Sequence, residues 1–189
     1  MIISLNGRIG SGKSTIAQML ADKLAWPRYY MGGLRREAAQ KRGLTLAEYN
    51  RLGETDISTD QEVDLYQKEL GRIEDNFIIE GRTSWYFIPH SFKIYLDVSP
   101  DEGARRVFGS LQKNDDRNED RDLLSVRKVK ESTEKRLASD SLRYKKYYNI
   151  DVNDLRHYDF YLNTTDLTPE QAFQAVYERV KLELDNKKK

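Results

Sequence analysis

The fold of this chain is decided by the stretch Gly7-Arg8-Ile9-Gly10-Ser11-Gly12-Lys13-Ser14, which matches the phosphate-binding pattern G-x-x-x-x-G-K-[ST] at every specified position. Glycines let such a loop turn so that its backbone N–H groups meet phosphate oxygens, and the positive end of the next helix dipole points at the same charge. Lys13 is expected to reach the β- and γ-phosphates, and Ser14 to ligate Mg²⁺. The predicted nucleotide-binding residues are Gly7, Arg8, Ile9, Gly10, Ser11, Gly12, Lys13, Ser14 and Thr15.

The residues on either side of this loop place it between a strand and a helix. Ile2, Ile3 and Leu5 form a short apolar run before it, and apolar residues recur at helical spacing from Ile16 to Leu24 after it. A phosphate loop requires strand, loop and helix in this order, so a chance match in a surface loop is disfavoured. The pattern predicts a nucleoside polyphosphate as ligand and leaves the acceptor open.

Length and composition predict one domain over residues 1–189, with no low-complexity linker to divide it. The chain has 32 basic and 31 acidic residues, so its net charge of +1 indicates neither a nucleic-acid nor a membrane partner. The absence of cysteine excludes a disulfide scaffold and cysteine-ligated zinc. Because the first predicted strand begins at Ile2, we expect no signal peptide, and no apolar run is long enough for a membrane span. We expect a cytoplasmic monomer.

Strand candidates alternate with helical stretches along the chain, which predicts a three-layer α/β fold with a parallel sheet of about five strands flanked by helices. After the first strand, the predicted strands are Arg28–Met31, closed by Gly32 and Gly33, then Phe77–Glu80, Phe92–Asp97 and Phe160–Leu162. After the first helix, the predicted helices are Leu34–Arg42, Leu46–Leu52, Gln61–Ile73, Pro100–Leu111, Leu123–Tyr148 and Pro169–Leu184. Thr168 is predicted to cap the last helix, with Gln171 three residues later.

Two predicted strands end in an acid that could serve a metal ion. Ligands of parallel sheets bind at the carboxyl ends of the strands, where Glu80 and Asp97 both lie. Gly81 and Arg82 follow Glu80 and add backbone access and a phosphate-binding cation, so Glu80 is favoured as the partner of Ser14 in holding Mg²⁺. The alternative for Asp97 is to cap the helix that begins near Pro100.

Arginines in four segments could supply the positive charge that phosphoryl transfer needs. They are Arg35 and Arg36, Arg82, Arg105 and Arg106, and Arg136 and Arg143. Arg136, Asp140 and Arg143 fall on one face of the long predicted helix. In an isolated helix this spacing is more typical of a surface salt-bridge ladder, but the phosphate loop in the same chain favours a functional role.

Together these segments resemble cytidylate kinases, most closely the short form typical of archaea. The resemblance rests on motifs in the same order and spacing: Gly7–Ser14, Gly32-x-x-x-Arg36, Glu80-Gly81-Arg82, Tyr95–Ser99 and Arg136-x-x-x-Asp140-x-x-Arg143-Tyr144. Tyr147–Asp151 and Leu162–Thr164 extend it over nearly the whole chain. Many families share the phosphate loop, but its combination with Glu80-Gly81-Arg82 and the helical triplet is considerably more specific.

The resemblance implies a nucleoside monophosphate kinase with a helical monophosphate-binding insertion at about 33–74 and a lid at about 110–122. It implies Mg²⁺-assisted phosphoryl transfer from ATP, with CMP or dCMP as the expected acceptor. Arg36 and Arg82 would hold the acceptor phosphate, and Asp140 would orient the arginines or meet the acceptor ribose. Lys13, Arg136 and Arg143 would act on the transferring group, with Arg106 as a weaker member. Asp64 and Gln67 are candidates for reading the base, with a solvated helix face as the alternative.

Other classes of P-loop protein are less consistent with the sequence. The chain lacks the D-x-x-G of GTPases, and Lys113-Asn114-Asp115 does not fit N-K-x-D. Adenylate kinases usually show Asp-Gly-Phe-Pro-Arg where this chain has Glu80–Ser84. A P-loop kinase of another nucleotide, such as AMP or UMP, or of a small metabolite is the alternative enzyme. A non-enzymatic nucleotide-binding module is less consistent, because it would not need an acceptor site.

Overall fold

The computed structural model describes residues 1–113 and 123–186, and a five-stranded sheet organises them. The strands are β1 (Ile2–Gly7), β2 (Arg28–Tyr30), β3 (Phe77–Glu80), β4 (Phe92–Asp97) and β5 (Phe160–Asn163). Every neighbouring pair is parallel, in the order β2-β3-β1-β4-β5. The predicted α/β fold with a parallel sheet is confirmed.

Eight α-helices occur in the described residues. They are α1 (Lys13–Leu24), α2 (Met31–Lys41), α3 (Leu46–Gly53), α4 (Ser58–Ile73), α5 (Ser84–Phe87), α6 (Pro100–Leu111), α7 (Val126–Tyr148) and α8 (Pro169–Asn186). The short α5 and a 3-10 turn at Leu155–His157 were not predicted, because elements this short cannot show an apolar periodicity. Of the predicted lid, residues 114–122 lie outside the described residues. None of the described helices combines the length and apolar character that crossing a membrane requires.

Both faces of the sheet are apolar because helices cover both. Successive strand residues point to opposite faces, so Ile3 and Leu5 of β1 pack on one side with Leu20 of α1 and Val176 of α8. On the other side, a second cluster contains Ile2, Met31, Leu70, Phe77, Ile79 and Ile88. β1 lies between β3 and β4, so β2 and β3 extend the sheet on one side of β1 and β4 and β5 extend it on the other. This is the switch point at which parallel sheets open a crevice for ligands.

The start of α2 corrects one prediction. Gly32 and Gly33 do not close β2 but lie in the first turn of α2, which begins at Met31 rather than Leu34. A Cβ atom at Gly32 or Gly33 would lie 2.7 or 2.9 Å from the nearest ring atom of Tyr30. These glycines therefore leave space for the Tyr30 ring instead of ending the strand.

The first residues of α8 and α6 test two predictions about helix caps. Thr168 Oγ1 accepts from Gln171 N at 3.2 Å while Gln171 Oε1 accepts from Thr168 N at 2.9 Å, which confirms the predicted cap. Ser99, however, caps α6 by accepting from the backbone N–H of its third residue at 3.3 Å. Asp97 instead pairs with Arg8 at 3.1 Å, so the alternative that Asp97 caps this helix is wrong.

Candidate active site

A cleft of about 810 Å³ opens at the carboxyl end of the sheet. The phosphate loop lines it from Ile9 to Thr15, together with the first residues after β3 and β5. Helices α2, α4, α6, α7 and α8 and the segment after β5 supply the rest of its lining. The cleft brings together these predicted site residues: Ile9, Gly10, Ser11, Gly12, Lys13, Ser14, Thr15, Arg36, Asp64, Glu80, Arg82, Arg106, Arg136 and Asp140. The predicted binding residues Gly7 and Arg8 are not among the described residues that line it.

Close packing explains two glycines of the loop. Gly7 has φ +140°, and a Cβ atom there would lie 1.8 Å from the carbonyl oxygen of Leu96 in β4. Gly10 has φ +83°, and its Cβ would lie 2.4 Å from the carbonyl oxygen of Gly103 in α6. Both positions therefore require glycine for space as well as for conformation. Gly103 is a residue whose role at the loop the sequence did not reveal.

Two cations meet at one carbonyl of the phosphate loop. Lys13 Nζ donates to the carbonyl oxygens of Gly7 at 2.9 Å and Arg8 at 2.6 Å. Arg82 Nη1 donates to the same Gly7 oxygen at 2.8 Å. Lys13 is also the first residue of α1, so the two cations lie beside the positive end of a helix dipole. This corner of the cleft is suited to polyanionic phosphate.

Ser14 and Glu80 form the candidate metal site. Ser14 Oγ donates to Glu80 Oε2 at 2.7 Å, and the Glu80 side chain is 2% exposed. A hydroxyl and a carboxylate are the hard oxygen donors that Mg²⁺ prefers, so the residues fit this ion. No cluster of three or more His, Cys, Asp or Glu that could hold a metal occurs in the described parts of the chain.

Sequence reasoning missed a third member of this group. Arg28 Nε donates to Glu80 Oε1 at 2.8 Å, and Arg28 Nη2 donates to the same oxygen. The contact exists because β2 pairs with β3, with Tyr30 opposite Glu80. Nothing in the local sequence around Arg28 indicates this partner, which lies 52 positions away.

A buried network of charges runs from the phosphate loop to α2. Arg82 Nε lies 3.0 Å from Asp140 Oδ2, and Asp140 Oδ1 lies 2.5 Å from Arg143 Nη2. Arg143 Nη1 donates to Asp60 Oδ2 at 2.6 Å, and Arg35 Nη1 donates to Asp60 Oδ1 at 2.7 Å. The network joins the turn after β3 to α7, α4 and α2. It therefore connects the predicted monophosphate-binding insertion with the long helix.

The charges in this network stabilise each other. Burial opposes ionisation of Asp140, but Arg82, Arg143 and Arg136 around it hold its pKa below the usual value. Burial would likewise lower the pKa of Arg143, but Tyr144, Asp140 and Asp60 raise it above its ordinary value. Both groups are therefore charged at neutral pH.

Arg136 and Arg143 lie at different depths although they share one helical face. Arg136 lines the cleft, whereas Arg143 is 0% exposed and is not among the described lining residues. Arg143 forms ion pairs with two carboxylates, Asp60 and Asp140. Its predicted action on the transferring group stays a prediction.

The other predicted arginines have distinct surroundings. Arg36 Nη1 donates to the hydroxyl of Tyr30 at 2.5 Å and to the carbonyl oxygen of Gly32 at 3.1 Å, beside the cleft. Arg106 Nη2 donates to the carbonyl oxygens of Thr164 at 2.8 Å and Thr165 at 3.0 Å. Arg106 therefore holds the segment after β5 against α6, while Arg36 lies on the side formed by α2.

Asp64 and Gln67 are buried, so the alternative of a solvated helix face is wrong for both. Asp64 Oδ1 accepts from Gln67 Nε2 at 2.8 Å and from Thr83 Oγ1 at 3.1 Å, and Tyr148 donates to Oδ2. Asp64 lines the cleft. Its neighbour Asp60 was missed because the predicted helix began at Gln61, whereas α4 begins at Ser58. The spacing of i and i+4 between the two acids could have indicated a shared face.

Burial raises the pKa of Asp64 to about 6. The negative charge of Asp60 acts in the same direction, while hydrogen bonds from Tyr148, Thr83 and Gln67 favour the ionised form. Asp64 is thus a carboxylate in the cleft whose charge changes just below neutral pH.

Comparison of the sequence with protein families finds a match over residues 2–166 to the cytidylate kinase-like family. A cytidylate kinase of Natronomonas pharaonis is 36% identical over 180 residues, covering 94% of this chain and 88% of the relative. A cytidylate kinase of Methanobrevibacter smithii is 32% identical over 182 residues, covering 96% and 99%. The similarity therefore spans nearly the whole length of each protein.

Solved structures with a similar fold include two shikimate kinases. The enzyme from Bacteroides thetaiotaomicron superposes with a TM-score of 0.63 at 16% identity, covering 96% of this chain and 98% of that one. The enzyme from Acinetobacter baumannii gives a TM-score of 0.59 at 18% identity, covering 100% and 95%. At these identities the comparison establishes a P-loop kinase fold and nothing about the acceptor.

Proposed function

This chain belongs to the cytidylate kinase-like family and is a nucleoside monophosphate kinase, and from this premise we propose that its acceptor is CMP or dCMP. In the proposed reaction an oxygen of the acceptor monophosphate attacks the γ-phosphorus of ATP. The bond between that phosphorus and the β-γ bridging oxygen breaks, and ADP leaves with that oxygen. The products are ADP and CDP or dCDP.

The distribution of charge in the cleft supports this proposal. Arg36, Arg82 and Arg136 come from α2, the turn after β3 and α7, and all three line the cleft that contains the phosphate loop. A module that only bound ATP would have no use for cations beyond its own phosphate loop. An acceptor that itself carries a phosphate does need them, because two anions must approach each other before the reaction.

Each group has a role that its position supports. The loop amides and Lys13 would hold the donor phosphates, and Arg36 and Arg82 would hold the acceptor phosphate. Arg136 would stabilise negative charge on the transferring group. Asp140, bound to Arg82 at 3.0 Å, would orient that arginine. Catalysis would then come from positioning and from electrostatic stabilisation, as phosphoryl transfer generally requires.

Ser14 and Glu80 would hold Mg²⁺, directly or through its waters. When bound, the ion would neutralise charge on the donor phosphates. Arg28 would keep the Glu80 carboxylate in place, because it holds Oε1 and leaves Oε2 facing Ser14.

The acceptor is tested by measuring ADP release from Mg·ATP with CMP, dCMP, UMP, AMP, GMP and dTMP, and with shikimate and gluconate as controls. We expect CMP and dCMP to give the highest kcat/KM. If AMP, shikimate or gluconate gave the highest value, the proposed acceptor would be wrong. The assignment of Gly7–Ser14 as a phosphate-binding loop would not be affected.

Replacing Arg36 with alanine tests the acceptor site. If Arg36 holds the acceptor phosphate before reaction, Arg36→Ala should raise the KM for the monophosphate by about tenfold or more and leave the KM for ATP nearly unchanged. Steady-state kinetics with each substrate varied in turn would measure both constants. Lys41→Ala is the matched control, because it removes an exposed cation from the last turn of α2. Equal changes in both KM values would place Arg36 outside the acceptor site.

A further inference from the structure

Two carboxylates of α4, Asp60 and Asp64, line the cleft, and they differ in their partners. Asp60 accepts from two arginines, Arg35 and Arg143. The side chains that donate to Asp64 are all neutral, namely Gln67, Thr83 and Tyr148. Asp60 is therefore neutralised within the protein. At neutral pH Asp64 is ionised, and among the described residues no arginine forms an ion pair with it.

The three donors hold Asp64 in a defined orientation. They come from α4, from the turn after β3 and from α7. Gln67 is itself fixed, because its Oε1 accepts from Ser84 Oγ at 2.8 Å and its Nε2 also donates to Thr83 Oγ1 at 2.8 Å. Oδ1 of Asp64 receives two hydrogen bonds and Oδ2 receives one. A carboxylate oxygen can accept two, so Oδ2 can accept one more from a ligand in the cleft.

The neighbours of Asp64 suit a nucleobase rather than a phosphate. Met31, Val63 and Tyr144 come from α2, α4 and α7, line the same cleft as Asp64 and offer apolar and aromatic surface. The negative charge of Asp64 would repel a phosphate, which the arginines next to the loop attract. A flat base with a hydrogen-bond donor on its edge is the part of a nucleotide that this region would accept.

On the basis of the proposed function, we infer that Asp64 determines base specificity by accepting a hydrogen bond from the 4-amino group of cytosine and repelling the 4-carbonyl oxygen of uracil. The two bases differ at this position, because cytosine presents an N4 amino donor and uracil presents an O4 carbonyl acceptor. A carboxylate is an acceptor only, so it can pair with the first and not with the second.

Substitution by asparagine tests this directly, because Asp64→Asn keeps the shape and supplies an N–H₂ donor. The amide side chain of this variant can still accept from Gln67 and Thr83 through its oxygen, and the Tyr148 hydroxyl can turn to accept from its nitrogen. We expect the ratio of kcat/KM for CMP to that for UMP to fall by at least about tenfold. Glu62→Gln is the matched control, because it removes an exposed carboxylate from the same helix and should leave the ratio unchanged.

A second measurement needs no variant. Because burial raises the pKa of Asp64 to about 6, the group becomes a neutral O–H donor as the pH falls through that value. The charged or titratable groups that face it are Asp60 from α4 and Tyr148 from α7, and burial together with Asp64 raises the pKa of Tyr148, so this hydroxyl stays neutral. Between about pH 7.5 and about pH 5.5, we expect the UMP to CMP ratio of kcat/KM in the wild type to rise at least about fivefold. Titration of the substrate phosphates cancels in this ratio, because both nucleotides carry the same group.

The outcomes separate this inference from the proposed function. Failure of the wild type to prefer CMP would overturn the proposed function. A wild type that prefers CMP, with an unchanged ratio in Asp64→Asn and no dependence of the ratio on pH, would overturn the role of Asp64 alone. An equal loss of activity toward CMP and UMP in the variant would also overturn it, since that result indicates a purely structural carboxylate. A CMP to UMP ratio that is lower in Asp64→Asn than in the wild type, and that no longer varies with pH in the variant, would support the role of Asp64.

Discussion

Replacing Lys13 with alanine is expected to lower kcat by at least about 10²-fold, because it removes a cation that stabilises charge on the β- and γ-phosphates as the bond to the γ-phosphorus breaks. Lys13 Nζ lies within 2.9 Å of two loop carbonyls at the start of α1, beside Arg82, so its charge acts where the donor phosphates are expected. Initial rates at saturating ATP and CMP would measure the effect.

The matched control is Lys23→Ala, which removes the same group from the last turn of α1. Its kcat should equal that of the wild type. We expect the unfolding temperature of Lys13→Ala without nucleotide to change little, because the side chain is only partly buried and does not belong to the apolar core clusters. Turnover near the wild-type value in Lys13→Ala would show that this loop is not a working phosphate site.

Arg143→Ala is expected to lower the free energy of unfolding by about 3 kcal/mol, since removing one partner of a buried ion pair leaves an uncompensated charge. Two carboxylates, Asp60 and Asp140, would lose their fully buried partner. Arg35 remains on Asp60 and Arg82 remains on Asp140, so the effect should lie at the lower end of the range for such pairs. The unfolding temperature should fall by roughly 6–12 °C, as judged from chain length.

Two variants of the same helix provide the comparison. Arg136→Ala should reduce kcat with a smaller loss of stability, because Arg136 lines the cleft. Arg127→Ala removes an arginine that is 88% exposed and should change neither quantity appreciably. Urea unfolding and steady-state kinetics of all three variants would be measured together. Wild-type stability combined with a large loss of kcat in Arg143→Ala would indicate that Arg143 leaves its partners and acts on the transferring phosphoryl group.

Most of the fold could be predicted from local sequence. β3, β4 and α6 begin and end where the sequence predicts, because each combines an apolar pattern with clear punctuation such as Gly81 or Pro100. The start of α2 was predicted wrongly, since Gly32 and Gly33 normally indicate a break. There the Tyr30 ring, only two and three positions away, occupies the space that a side chain at either glycine would need, so both glycines lie inside the helix.

The amino-acid sequence was enough to predict the phosphate loop, the alternation of the five strands with the longer helices and the helical face that carries Arg136, Asp140 and Arg143, because these features depend on neighbours within a few positions. Only the tertiary structure decided that Arg28 holds Glu80, that Arg143 is buried between two acids and that Tyr148 orients Asp64. Arg28 and Glu80, Asp60 and Arg143, and Asp64 and Tyr148 lie 52, 83 and 84 positions apart in the chain. Periodicity shows which face a side chain lies on, but its depth and charge partners depend on which distant element packs against that face.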